Sequence, residues 1–362
     1  TTHHHCKQYS LTKKYRDELN NDGVSGLMIT DHRQLKRMYS FWENSIERTL
    51  EKHPWLQPEL HALSKLNYKT EEGEHFLKET ITSRFYRNEP LTNKQSEKLV
   101  QANNDLDSFL NSDNLPFVSV RNGRVYNKLV NANKEFRKFI VTDSGERLVE
   151  VDMRSAQWVM LCKALVLKNK YSYTTNLIDN LTKHIEEPVD LLSNTYNDTI
   201  AFISSVLFQD IYSELGILKT KDSYVIPSGL KHQEREEFKK EAIAESLYNY
   251  FRKPTGKFFL DNKGRKHVRG VVKDTYPSVY DFIVQCAEES NKKRRSSDLA
   301  ILMQKYEGFF FHQALQGALE GLLEGDGYAI IHDAFYLPES KEKEARKIMQ
   351  ETAEKWFGVM IY

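Results

Sequence analysis

Hydrophobic and polar positions change their rhythm near residue 117. Before it, apolar residues recur at helical spacing, with Leu35, Met38, Phe41, Trp42, Ile46 and Leu50 marking a helix over Arg33–Glu51. A second helix is predicted over Asn93–Leu110, entered at Thr92 as its cap. Residues 30–110 therefore read as mostly helical and polar, punctuated by Pro90 and Pro116. From 117 onward short apolar runs appear at 117–120, 138–142 and 148–151, separated by turn chemistry at Asn122-Gly123 and Asp143-Ser144-Gly145. These predict strands. Helices are predicted to follow at about 155–168, 188–214, 233–251, 277–291 and 296–324, then a hairpin over 328–338 and a helix over 341–357. A small sheet flanked by long helices is an α+β arrangement.

Composition narrows the picture. The chain has 362 residues, of which 40% are hydrophobic, enough for one large or two ordinary cores. A formal net charge of +1 argues against a histone-like binder but leaves room for a local basic groove. Cys6, Cys162 and Cys286 have no paired spacing, as expected of a reducing compartment without disulfides or structural zinc. No apolar run approaches the ~20 residues of a membrane span, and no signal peptide is visible. A cytoplasmic protein with no membrane partner is the expectation.

Two aspartates carry the chemistry. Asp152 in LVEVDMRSAQ and Asp333 in GYAIIHDAFYLP each follow a short run rich in β-branched residues, the pattern of a buried strand. Carboxylates at two strand ends can hold two Mg²⁺ ions that align a hydroxyl with a triphosphate. Asp is short, hard and ionised at neutral pH, as Mg²⁺ ligands need to be.

The approach to Asp152, GRVYNKLVNANKEFRKFIVTDSGERLVEVD, resembles the family A DNA polymerases and the phage-type single-subunit RNA polymerases. Gly123-Arg124, Asn131 or Asn133, Arg137, Phe139-Ile140 and Asp152 fall in the family's order. The resemblance implies that Arg124 and Arg137 contact nucleic acid. It also sets Gln157, five residues after Asp152, where the DNA polymerases have a sugar-sensing Glu. That departure leaves the choice of sugar open.

Further motifs follow in order. In QEREEFKKEAIAESLYNY, Arg235 and Lys239 are four apart and share a helix face. They resemble the fingers helix whose Arg and Lys bind the incoming triphosphate. A Tyr normally stands eight residues after that Lys, which selects Tyr248 if Lys240 is the ligand. Tyr276-Pro277 resembles the next fingers segment. Gln304 and Glu307 interrupt the apolar face of the helix before Asp333, and Gln304 corresponds to a Gln that contacts the duplex. His332-Asp333 matches the family's His-Asp pair, in which the His is expected to orient the primer end or the Asp. The following Ala334-Phe335, in place of a Glu, leans towards the RNA polymerases. A basic, aromatic-interleaved stretch over 231–273 suits template contact.

The resemblance implies a right-hand fold with a small antiparallel palm sheet and helical fingers. Residues 1–110 would be a thumb-like helical region, 111–175 and 296–362 the two parts of the palm, and 176–295 the fingers-like insertion. It implies a template-directed nucleotidyltransferase with catalytic Asp152, Asp333 and Lys239. Two Mg²⁺ would serve it, or Mn²⁺ in their place, with nucleoside triphosphates and a primer–template as substrates. The short chain implies a partner protein for processivity. RNA synthesis, priming, template-independent extension and a non-catalytic nucleic-acid-binding module stay open beside DNA synthesis.

Overall fold

The computed structural model describes residues 46–69, 72, 117–119, 121–131, 137–193, 197–215, 218–219, 224–225, 239–240, 242–243, 268–292 and 298–359. The chain divides into two units, 1–52 and 53–362. In the first, residues 46–52 are helical.

The second unit is α+β. It begins with α1 (Gln57–Ser64), which has a proline in its first turn, where a missing N–H costs nothing. Strand β1 (Leu66–Tyr68) follows and pairs antiparallel with β4 (Ile140–Thr142). This places one short strand within a region that reads as mostly helical: three residues are too few to show a strand period. Between them β2 (Phe117–Val118) and β3 (Val125–Tyr126) form a short hairpin. Strand β5 (Leu148–Asp152) leads into α2 (Ala156–Tyr171). Every residue of α2 from Ala156 to Leu167 is buried, and apart from Gln157 and Lys163 this stretch is apolar on all sides rather than amphipathic.

Helices α3 (Leu177–Thr182), α4 (Asn197–Phe208) and α5 (Ile211–Leu215) come next, then a two-stranded ribbon, β6 (Leu218–Lys219) and β7 (Tyr224–Val225). Helix α6 (Val268–Thr275) precedes α7 (Pro277–Lys292). The start of α7 is capped from another element, Ser278 N donating to Asp198 Oδ2 at 2.6 Å.

The predicted long helix over 296–324 is divided. Helix α8 (Asp298–Phe309) passes into a π-helical segment, Phe310–Leu315, and then α9 (Gln316–Leu323). The π segment carries His312, whose Nδ1 lies 2.9 Å from Oε2 of Glu59, both side chains buried. Asn127 Nδ2 donates to the other oxygen of Glu59 and to Ile330 O, each at 2.9 Å. This buried polar cluster ties α1 and the π segment to β8 (Ala329–Ile331). A two-residue turn connects β8 to β9 (Ala334–Pro338), and α10 (Glu342–Phe357) follows. Gly358, at φ 70°, ends α10 in the left-handed conformation that glycine adopts without strain.

The principal sheet has the order β5-β9-β8, all antiparallel. Its two faces bury different cores, as the period of two requires. Val151, Ile330, Phe335 and Leu337 face the larger core with α2 and α8. Ala329, Ile331, Ala334 and Tyr336 face a smaller one with Leu63, Leu66, Leu129 and Ile140.

One close approach fixes α8 against the β2–β3 hairpin. A Cβ at Gly308 would lie 2.9 Å from the carbonyl oxygen of Gly123. Gly308→Ala is therefore expected to destabilise the fold by about 1–3 kcal/mol, read as a lower urea midpoint with an unchanged m-value.

Candidate two-carboxylate site

Strand pairing builds the site. Asp152 is the last residue of β5 and lies opposite Ala334. Asp333 immediately precedes Ala334, and its carbonyl accepts from Met153 N at 3.1 Å. The two aspartates thus stand side by side at one end of the sheet. The turn holding Asp333 has His332 at φ 57°, and the turn after Asp152 has Ser155 at φ 57°. A non-glycine residue in this region costs of order 1–3 kcal/mol and needs support from its surroundings.

Asp152 is exposed and Asp333 half-buried. Burial raises the Asp333 carboxyl above its ordinary value, and the charges of Asp152 and Glu150 raise it further, against the opposing Arg124 and a backbone N–H. Glu150 shares a face with Asp152, two residues along β5. The alternation in LVEVD carries that information.

A buried carboxylate backs the pair. Glu307 is 1% exposed, and its Oε1 accepts from Arg124 Nε at 3.0 Å and Nη2 at 2.7 Å. Its Oε2 accepts from Gln157 Nε2. Burial pushes the Glu307 carboxyl up to about 7, Arg124 opposing and Asp333 adding to the rise. The acid visible in sequence only as a break in an apolar face is therefore the hub joining α8, α2 and the β2–β3 hairpin.

The other predicted residues are placed as follows. The Arg124 guanidinium is turned to Glu307. Arg137 donates from Nη1 to Tyr336 Oη at 3.2 Å and sits 5.7 Å from that ring's centroid. Gln304 is buried one turn before Glu307. The His332 ring meets Tyr126 edge-on at 6.3 Å, and burial, with Arg124, Arg137 and His312, pushes its pKa down to about 4. Lys239 Nζ stands 5.7 Å from the Tyr212 ring centroid, and Tyr212 packs on Trp158, the neighbour of Gln157 in α2. Lys240 is exposed. Arg235, Tyr248 and Asn133 lie outside the described residues, as does most of the predicted 233–251 helix.

Three buried polar atoms of the predicted site residues have no hydrogen-bond partner among the described residues: Gln157 Oε1, His332 Nδ1 and Arg137 Nε. Nearby, a cleft of about 520 Å³ has Gly123 and Gly308 in its wall, with Trp55, Phe309, Lys183 and Lys305 around it. Among the described residues no helix is long and apolar enough to cross a membrane. Compared with known proteins, the sequence matches no family model and no curated protein.

Proposed function

We propose that the chain is a template-directed nucleotidyltransferase of the right-hand polymerase type, in which a primer 3′-hydroxyl gives up its proton and attacks the α-phosphate of a nucleoside triphosphate, the α–β phosphoanhydride bond breaks and pyrophosphate leaves. The observation that carries this reading is the meeting of Asp152 and Asp333 at adjacent strand ends, although they lie far apart in the chain. Each motif resembles one whose role requires such a meeting.

The pair suits Mg²⁺. Two short carboxylates placed so that the charge of Asp152 raises the proton affinity of Asp333 favour a divalent cation. Mg²⁺ commonly takes one or two carboxylates and completes its shell with substrate phosphates and water. Asp152 and Asp333 would hold it, and Mn²⁺ would serve as well. When bound, the ion supplies charge stabilisation on the phosphoryl oxygens. The protein's own residues position the reactants, and positioning supplies much of the rate in phosphoryl transfer. Lys239, which stands near α2 through Tyr212, would take the triphosphate together with Arg235. Neutral His332 would orient the primer end. The lysines and aromatics of the neighbouring cleft suit a nucleic-acid strand, the cations meeting phosphate and the rings stacking on bases.

Primer extension tests the reading. With Mg²⁺ and a DNA primer–template, wild type is expected to extend the primer, and Asp152→Ala and Asp333→Ala are not. dNTPs and NTPs run in parallel identify a DNA- or RNA-synthesising enzyme, and a reaction without template identifies untemplated addition. Wild type that extends nothing, or variants that extend as well as wild type, would overturn the proposal.

A further inference from the structure

We infer that Tyr173 is a nucleophile that accepts a nucleotide covalently, in the two-aspartate site of a second copy of this chain. This rests on the nucleotidyltransferase reading and adds a protein hydroxyl to its acceptors.

At the far end of α2 a carboxylate, an imidazole and a phenol stand in series. Glu187 Oε2 lies 2.7 Å from His184 Nδ1, and His184 Nε2 lies 2.7 Å from the Tyr173 hydroxyl. An ionised carboxylate only accepts hydrogen bonds, so Nδ1 carries a proton. In the neutral ring Nε2 then has the lone pair, and Tyr173 donates to it. A hydroxyl on a base that a third group orients is the arrangement that activates a nucleophile. The orienting group is itself held. Lys170 Nζ donates to Glu187 Oε1 at 2.6 Å, Tyr171 Oη reaches both carboxylate oxygens at 2.8 and 2.7 Å, and the Tyr171 ring stacks on His184 at 4.2 Å. Tyr171 supplies the contrast, since its hydroxyl faces Glu187 and not the imidazole. Burial raises the Glu187 carboxyl, but hydrogen bonds from Lys170, Tyr171 and His184 outweigh it and hold the group down at about 2, far too weak a base for a phenol's proton. Of the two phenols only Tyr173 faces an imidazole, the commonest general base.

Placement decides where the nucleotide comes from. Tyr173 is half-buried on the loop 172–176 between α2 and α3, whose other residues are exposed. Asp152 lies just before the start of α2 and Tyr173 just past its end, and a helix of 16 residues is about 24 Å long. The aspartates of the same chain are out of reach, whereas an exposed loop can enter the site of another molecule. In the step, the phenolic oxygen bonds to the α-phosphorus, the α–β phosphoanhydride bond breaks, and pyrophosphate leaves with the bonding pair. The phenolic proton passes to His184 Nε2. The product is a tyrosyl nucleotide whose 3′-hydroxyl can stand in for a primer end.

The test is covalent labelling. The protein is incubated with Mg²⁺ or Mn²⁺ and with dNTPs or NTPs radiolabelled in the α-phosphate, without any oligonucleotide, then denatured, and the labelled peptide is identified by mass spectrometry. Wild type is expected to carry a nucleotide on Tyr173. Tyr173→Phe should lose the label yet extend an oligonucleotide primer as wild type does. His184→Gln should slow labelling on the order of 10²-fold or more, again with primer extension unchanged. Asp333→Ala and Tyr173→Phe chains, each unlabelled alone, should when mixed yield label on the Asp333→Ala chain, and a mixture that stays unlabelled would overturn transfer between copies. A purely structural role for the three residues would lower primer extension along with any label, overturning the inference. Label on Tyr171, label retained in Tyr173→Phe, or a wild type that extends primers but takes no label would overturn it while leaving the polymerase reading in place. A wild type that does neither would overturn both.

Discussion

Asp333→Asn is expected to lower nucleotide transfer on the order of 10²–10³-fold or more, the scale on which one lost transition-state-stabilising group is felt, while raising the unfolding temperature. The two effects have one cause. The Asp333 carboxyl is held above its ordinary 3.8 by burial and by the negative charges of Asp152 and Glu150. Its ionised form is thus less welcome in the folded chain than in the unfolded one. Above the folded pKa that cost is fully present, and below 3.8, where both states are protonated, it vanishes. Asparagine keeps the shape and removes the charge. Scanning calorimetry in chelator at pH 8 should show the variant melting above wild type, the difference shrinking as the solution is acidified. A variant that melts lower at pH 8 would mean that Asp333 is a structural residue, and any lost activity would then follow from the fold.

Arg124→Ala is expected to cost about 3–5 kcal/mol of stability, the price of leaving a buried charge without its partner, and the cost should depend on pH. Glu307 is buried, and its carboxyl already stands at about 7 in the folded protein, against 4.5 for the ordinary group. In wild type, then, this residue takes stability away as pH rises from about 4.5 to about 7 and no further. Arg124 is the principal influence pulling that value down. Without it the folded pKa climbs, and the loss continues beyond neutrality. Urea unfolding at pH 5, 7 and 8.5 should therefore show the two proteins falling in parallel at first and separating above about 7. The double substitution Arg124→Ala, Glu307→Leu should recover much of the loss at pH 8.5, because no buried charge remains. A deficit equal at all three pH values would show that lost packing, not the stranded carboxylate, is responsible.

What could be seen in the sequence follows from how local the information was. LVEV before Asp152 and AII before His332-Asp333 are short β-branched runs, and they are strands that bring the two aspartates together. The hairpin over 328–338, the helix over 277–291 and the helix from 155 were legible for the same reason: caps, prolines and periodicity lie within each segment. β1 was not, since Leu-Asn-Tyr is too short to show a period, and only its partner at 140–142 makes it a strand. The six residues of α3 escaped for a similar reason. The π segment has nothing local to announce it, because Phe310, Phe311 and Leu315 fit an ordinary apolar helix. In the sequence Glu307 reads only as an interruption of an apolar helix face. Its partner Arg124 is 183 residues away, so the pair exists only once α8 and the β2–β3 hairpin pack through Gly308 and Gly123.

The strand order has a consequence for biosynthesis. In β5-β9-β8 the middle strand is β9, and it is translated last of the three. Until residues 334–338 emerge from the ribosome, β5 has no neighbour in this sheet, and Leu148–Asp152 presents unpaired backbone along both edges. The nascent chain must carry that open edge while nearly two hundred residues are added, an interval of roughly 10–40 s at 5–20 residues per second. Pairing at so long a separation is slow to form and prone to association between chains. Elongation speed downstream of residue 152 and chaperone occupancy of the growing chain thus bear on the yield of folded protein, and fragments ending before residue 334 should collect in the insoluble fraction.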